Sequence, residues 1–435
     1  MVERNTSHAV PEHRPARWYQ GLDRTHRRVL YATFAGWTFD GYETQALVVV
    51  AVPALRELLP PGAPIGFYTG LAIGLTLLGW GIGGLVGGVL ADYIGRRRMM
   101  LIAILGYALF TGLTALSTSF EMLIAFRILT GIAMGSEWAT GTVLLQESWP
   151  DRARAKGAGF MQSGFGFGTL LAALIWLFLQ GTSPSAWRWM FVIGVAPAFL
   201  VLYIRRRLDE SQRWQDAVAA EKQTHEKRQF TVRRLFADPV NRRRVLVTLV
   251  MSLGTIIGWY AVSAFLPQFA VPLARASGVA NPASWGALAV VLYNVGAILG
   301  YLSSGFIADA LGRRWLVAII FVGSLVMTPI TYLWWGGIEM FLVVALINGA
   351  FTLGGFAWFA IYLPELFGST VRSTATGFVF NVTRLIAWVG PIVSGSLIAS
   401  AGGVSRAALY MGSAYLLGIV MLPFLHETKG EPLPD

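Results

Sequence analysis

Twelve apolar runs of about 20 residues set the pattern of the chain, each long enough to cross a hydrocarbon core of about 30 Å. They lie near residues 29–57, 67–90, 99–117, 122–146, 158–181, 187–205, 244–272, 284–308, 315–335, 339–363, 373–400 and 406–426, and each is predicted to be a membrane-spanning helix. Short polar breaks separate them, and one longer polar stretch, 208–243, divides them six and six. There, "LDESQRWQDAVAAEKQTHEKRQFTVRRLF" spaces its apolar and aromatic residues loosely, which fits short amphipathic helices on a membrane face as well as a plain linker. The expected architecture is an all-α membrane protein of twelve transmembrane helices. It has an N-terminal segment 1–28, a six-helix bundle 29–207, a linker 208–243, a second six-helix bundle 244–426 and a tail 427–435.

The two halves repeat each other. "GVLADYIGRRR" (88–98) aligns with "GFIADALGRRW" (305–315) at an offset of 217, matching Asp92 to Asp309, Arg96 to Arg313 and Arg97 to Arg314. "LQESWPDRARAKGAGF" (145–160) aligns with "LPELFGSTVRSTATGF" (363–378) at 218, matching Glu147 to Glu365 and Arg154 to Arg372. A parallel duplication of six spans is therefore predicted, an arrangement used by many secondary transporters.

Composition agrees with the pattern: 55% of the 435 residues are hydrophobic and 13% charged, against about 25% charged in an ordinary globular chain. The net charge of +11 would suit nucleic acid, but its placement argues for topology instead. Arg96 to Arg98, Arg152, Arg154, Lys156, Arg205 to Arg207, Arg242 to Arg244, Arg313, Arg314 and Arg372 fall on one side of a twelve-span arrangement. Only Arg56, Arg188, Arg275 and Arg406 fall on the other. By the positive-inside rule both termini are expected in the cytoplasm, with the first span as insertion signal and no partner nucleic acid. No metal cluster or nucleophile motif appears and there is no cysteine, so neither an enzyme nor a cofactor is expected.

Ionisable residues inside the spans carry the candidate chemistry, because each costs about 2.5–3.5 kcal/mol on insertion scales and needs a partner or a role. Counting inward at about 1.5 Å per residue puts Asp40, Glu43, Glu137 and Arg384 near mid-depth, with Arg127 nearer one end of the fourth span. Asp40 and Glu43 stand three positions apart in "FDGYETQ" (39–45), on one helix face. Two carboxylates one turn apart cannot easily both ionise in a poorly solvated site, so proton carriage is expected of them, with Glu137 a rival carrier. A membrane potential of 100 mV would add about 2.3 kcal/mol per net charge moved. Arg127 and Glu137 lie about 15 Å apart along a straight helix, so their partners are expected on other spans.

Arg384, in "FNVTRLIAW", follows Asn381 and precedes Trp388 by about a turn. A guanidinium is permanently charged and recognises carboxylate bidentately. It is expected either to bind an anionic substrate or to bridge to Asp40, Glu43 or Glu137. Tyr42, Gln45, Gln162, Tyr260, Asn294 and Trp358 are further candidate contacts, and the aromatic residues among them favour a ligand with an apolar or aromatic body. Asp92, Arg96, Arg97, Glu147, Arg154, Asp309, Arg313, Arg314, Glu365 and Arg372 are expected to fasten a cytoplasmic gate.

The Gly-x-x-x-Asp-x-x-Gly-Arg-Arg pattern after the second span, its echo after the eighth, and "RILTGIAMG" with Arg127 resemble the Major Facilitator Superfamily over essentially the whole chain. Asp40-Gly41-Tyr42-Glu43 is similar to the Asp-Gly-x-Asp signature of aromatic acid:proton symporters, with Glu in place of the second Asp. "GSEWATGTVLLQESWP" looks like wider metabolite:proton symporters, and "LDESQRW" and "HETKG" resemble elements of sugar porters that contain additional prolines. The resemblance implies alternating-access import of a small organic anion with protons, by a monomer in the inner membrane. The alternatives are a sugar porter and a proton-driven exporter of amphiphilic compounds.

Overall fold

The structure is a computed structural model that describes residues 18–223, 230–334, 336–390, 392, 398 and 400–434. Residues 1–17, part of the linker (224–229) and much of the end of the eleventh span lie outside the described residues. All regular structure among the described residues is helical. The first half comprises α1 (Arg24–Leu58), α2 (Ile65–Ile94), α3 (Arg96–Thr114), α4 (Phe120–Ser148), α5 (Asp151–Leu179), and the pair α6 (Trp187–Ile193) and α7 (Pro197–Arg207), which form one span. Two short linker helices follow, α8 (Gln212–Gln223) and α9 (Thr231–Ala237). The second half comprises α10 (Pro239–Ala276), α11 (Pro282–Leu311), α12 (Arg313–Tyr332), α13 (Ile338–Thr352) continued by α14 (Ala357–Tyr362), α15 (Arg372–Val382) with α16 (Arg384–Ala387), and α17 (Val404–Gly412) with α18 (Tyr415–Met421).

Ten of these segments are long and apolar enough to cross a membrane. The carboxylate-bearing α1, 35 residues long, and the segment opening at Arg372 complete the twelve. Within each half the helices pack as matched pairs, α1 along α5 and α2 along α4, then α11 along α13. The halves meet where α5 runs against α11 and α15 against α2. Small residues permit that approach: a Cβ on Gly159 would sit 2.6 Å from the Tyr301 carbonyl oxygen, and one on Gly305 2.5 Å from the Lys156 Cα.

The repeat is visible in the backbone. Gly95 and Gly312, equivalent at offset 217, turn α2 into α3 and α11 into α12 with φ of 100° and 102°, a region that disfavours any residue with a Cβ. At each turn a carboxylate crosses the start of the next helix. Glu210 accepts from the N–H groups of Arg96 and Arg97 at 2.9 and 3.1 Å. Glu427 does the same for Arg313 and Arg314 at 2.8 and 3.0 Å. Both satisfy free N–H groups and face the positive end of a helix dipole.

Candidate functional site

Two charged regions lie at different depths. At the end of the bundle that carries the Gly95 and Gly312 turns, Glu147 is held between Arg96 of its own half at 3.1 Å and Arg372 of the other half at 2.7 Å. Its counterpart Glu365 is held between Arg313 at 2.8 Å and Arg154 at 2.9 Å. Asp92 pairs with Arg96 at 3.0 Å and accepts from the N–H and hydroxyl of Thr374 across the interface, at 2.8 and 2.6 Å. Asp309 pairs with Arg313 at 3.2 Å and with Lys156 of the opposite half. Among the described residues neither Arg97 nor Arg314 is seen to pair across the interface: Arg97 donates to the Arg205 carbonyl, and the Arg314 backbone to Glu427.

Lys156, expected from the sequence only as a topology signal, is a cross-interface partner. The signal was present, since the 218 offset pairs Lys156 with Thr374, and each meets the signature aspartate of the other half. Glu210 and Glu427 are a second such pair, inside "LDESQRW" and "HETKG". Burial pushes the Glu427 carboxyl up, but the N–H groups of Arg313, Arg314 and Lys429 and the Arg313 charge together hold it below its usual value.

The second region is a cavity of about 700 Å³ running from mid-bundle toward the opposite end. Its walls take Trp37, Glu43, Gln45, Trp80, Arg127, Gln162, Phe165, Trp259, Tyr260, Tyr293, Asn294, Phe380 and Arg384 from both halves. Aromatic side chains close it on the side of the ion network. Trp37 lies 5.0 Å from Phe165 and 6.2 Å from Trp80 between ring centroids, and Phe380 stacks on Trp138 at 3.6 Å.

Arg384 borders this cavity and remains 8% exposed. Its guanidinium lies 4.0 Å from the Phe380 ring centroid and 4.8 Å from that of Trp80, a cation–π setting, and one nitrogen donates to the Phe380 carbonyl. Among the described residues no carboxylate lies within ion-pairing distance of it. The expected bridge from Arg384 to Asp40, Glu43 or Glu137 is therefore replaced by contacts to rings and a carbonyl.

The midplane acids are paired across α1 and α4, not along α1. Glu43 accepts from Arg127 at 3.1 Å, and the rest of that guanidinium is filled by the hydroxyls of Thr111, Thr114 and Thr130 at 2.9 to 3.2 Å. Asp40 instead lies on the face of α1 that Glu137 packs against. All four of their carboxyl oxygens are buried without a hydrogen-bond partner among the described residues. Gly36, one turn before Asp40, makes room, since a Cβ there would sit 2.1 Å from Glu137 Oε1.

Other candidate residues are placed away from the cavity wall. The Tyr42 hydroxyl donates to the Met190 carbonyl at 2.8 Å, inside the first half. The Trp358 indole donates to Thr255 at 3.1 Å. Asn381 donates to the Gly377 carbonyl of its own helix at 2.9 Å and lies against Gly84, while Trp388 packs against Gly74 through its backbone. Trp37, Trp80, Phe165 and Phe380 are walls that residue type and depth alone do not single out. Trp37 precedes Asp40 by three positions, one helical turn, which was the available signal.

Comparison with known proteins agrees with this architecture. The family model "Major Facilitator Superfamily" matches residues 44–289, and "Sugar (and other) transporter" matches 219–435. A protein of Cupriavidus pinatubonensis named "Probable 4-methylmuconolactone transporter" is 29% identical over 427 residues, covering 95% of this chain and 93% of that protein. The "Cis,cis-muconate transport protein" of Acinetobacter baylyi is 27% identical, over 83% of this chain and 86% of its own. Among solved structures, the proton:xylose symporter XylE bound to 6-bromo-6-deoxy-D-glucose superposes with a TM-score of 0.77 at 18% identity, over 94% of this chain and 98% of that one. With the family model matching more than half of its length, a twelve-helix duplicated fold and a central cavity, the chain belongs to the Major Facilitator Superfamily and is a multi-pass membrane transporter of small organic solutes, not an enzyme.

Proposed function

We propose that the protein imports a small organic carboxylate together with protons, by alternating access, as a monomer in the inner membrane with both termini cytoplasmic. The observation that carries this reading is Arg384: a buried guanidinium, without a carboxylate partner among the described residues, at the wall of a cavity lined by aromatic rings. Leaving such a charge without an anion is unfavourable, and a carboxylate can take the guanidinium donors that the Phe380 carbonyl leaves open. The ring faces around it suit an apolar or unsaturated body. The names of the muconolactone and muconate relatives support the same class.

The proton belongs to Asp40 and Glu137. Two neighbouring buried carboxyls, without a hydrogen-bond or ion-pair partner among the described residues, favour taking up a proton. Glu43 instead has a cation beside it, Arg127 at 3.1 Å. The ion network at the basic end then acts as the closed cytoplasmic gate, since its pairs cross the two halves. A sugar porter reading draws on the match to the sugar transporter model. Against it, α10 reads "MSLGTIIGWYAVSAFLPQF", without the paired glutamines that would serve sugar hydroxyls.

Proteoliposomes given an inward proton gradient and a panel of labelled carboxylates test the reading. Gradient-dependent uptake of at least one acid is expected, with Arg384→Ala raising its KM by about 10-fold or more, the size of a lost charged hydrogen bond. No uptake of any acid, or an unchanged KM in the variant, contradicts it.

A further inference from the structure

We propose that residues 431–434, "EPLP", form a strap seated across the two halves at the basic end, which holds that end closed and must leave it each time the halves part there. The proposal is independent of the solute that the cavity takes.

The strap is made of backbone carbonyls held by arginines. Arg154 of α5 donates to the Glu431 carbonyl at 2.7 Å, Arg213 of the linker helix α8 to the Leu433 carbonyl at 3.5 Å, and Arg372, which opens α15, to the Pro434 carbonyl. The three donors come from the first half, the linker and the second half. Arg154 and Arg372 are equivalent at the offset of 218, and each turns its other nitrogens to a glutamate across the interface, Glu365 and Glu147. The strap therefore closes over the same two guanidinium groups that fasten the halves. Its root is fixed to the second half: Thr428 donates to Glu365, Lys429 to the Ala310 carbonyl at 2.8 Å, and Tyr362 to the His426 carbonyl at 2.6 Å. Leu433 is only 3% exposed, so a buried apolar side chain anchors the far end.

Hydrogen bonds from a charged donor are among the stronger ones in a folded chain. Here they tie a segment rooted on the second half to Arg154 of the first. Even fully extended, the three residues from Glu431 to Pro434 reach about 10 Å, so the guanidinium groups of Arg154 and Arg372 cannot separate beyond that reach with both carbonyls bound. Opening of the basic end parts the pairs of Glu147 and Glu365, and with them the strap. The cavity in this structure opens away from the ion network, which is the state the strap favours. A segment that binds one state and not the other shifts the equilibrium by the whole of that difference. A tail docked on one half alone would ride through the cycle unchanged. The contact with Arg154 is what sets this one apart.

The test is labelling of the purified full chain in detergent with N-ethylmaleimide, at one introduced cysteine at a time. Ala360 is fully buried and its carbonyl accepts from Gln146 of the opposite half at 2.7 Å, so Ala360→Cys reports opening of the basic end. Gln45→Cys, in the cavity wall, reports the opposite opening. Leu433→Lys puts a cation beside the carbonyls that Arg213 and Arg372 hold. It is expected to speed labelling of Ala360→Cys by about tenfold or more, the size of one lost charged hydrogen bond, without speeding that of Gln45→Cys, while Leu433→Met matches the parent at both. Unchanged labelling of Ala360→Cys overturns the proposal. Faster labelling at both positions is general loosening and overturns it as well. If Leu433→Lys fails to fold, a chain stopping at Gly430 decides by the same two readings, and failure of both to fold makes the segment part of the fold and overturns the strap. None of these outcomes bears on carboxylate symport, which the uptake assay above tests separately.

Discussion

Helices α1 and α4 are joined twice near the middle of the bundle, by two pairs of opposite character. Glu43 and Arg127 form an ion pair completed by three threonine hydroxyls. Asp40 and Glu137 are two neighbouring acids without an ion-pair or hydrogen-bond partner among the described residues. The first pair has its cation in place, although Glu43 Oε1 is left without a hydrogen-bond partner among the described residues; the second has no ion-pair partner, and a proton supplies the missing donor. Burial is the same for all four side chains, 0 to 2% exposed, so the difference lies in the partners. The contrast separates a structural joint from a site that can be loaded.

The sharpest way to break this contrast is Asp40→Asn, which is expected to abolish accumulation driven by a pH gradient while counterflow of the same substrate survives. Glu137→Gln should keep a reduced response, because Asp40 remains to titrate within the field of Arg384. If both variants accumulate substrate normally, the acid pair is not the loading site. Glu43→Gln addresses the other joint. It strands a buried guanidinium, so thermal melting in detergent should report a loss of about 3–5 kcal/mol, and Glu43→Gln/Arg127→Gln should recover most of it. Equal stability of the single variant and the parent would remove the structural role.

The network at the basic end offers a finer comparison. Arg372→Gln breaks a pair in which both side chains are fully buried. Lys156→Gln breaks one that is 11% and 23% exposed, an effect of about 0.2–1 kcal/mol. The protein has no cysteine, so a single Gln45→Cys in the cavity wall can be labelled by an impermeant thiol reagent. Labelling should slow more in Arg372→Gln than in Lys156→Gln, and the reverse order would contradict the gate. The smallest effect concerns Glu427. Because its carboxyl is held below the usual 4.5, the contribution of its clamp is present in full above that value and lost as pH falls through the lowered one. Glu427→Gln should flatten that acid limb of the melting profile and leave the neutral region little changed.

The spans and the duplication were legible in the sequence, because hydrocarbon thickness fixes run length and a repeated signature fixes the offset. The partners at mid-depth were not. A helical spacing of three puts Asp40 and Glu43 on one face, but it does not say that Glu137 reaches one while Arg127 takes the other. The glycine that admits Glu137, Gly36, looks like any packing glycine in the chain. Tyr42, Trp358 and Asn381 were singled out by residue type, and type alone does not separate a cavity wall from a hydrogen bond to a neighbouring helix. Glu210, Glu427 and Lys156 were within reach, because the offsets of 217 and 218 that align the signatures also align Glu210 with Glu427 and Lys156 with Thr374.

Proton uptake on substrate binding tests the central claim most directly, measured with a pH indicator in weakly buffered detergent solution as a transported monocarboxylate is added to the purified protein. The account predicts uptake of about one proton per carboxylate bound, unchanged in Glu43→Gln/Arg127→Gln and absent in Asp40→Asn/Glu137→Gln. Binding without proton uptake, or uptake that persists when both acids of the pair are replaced, would contradict it.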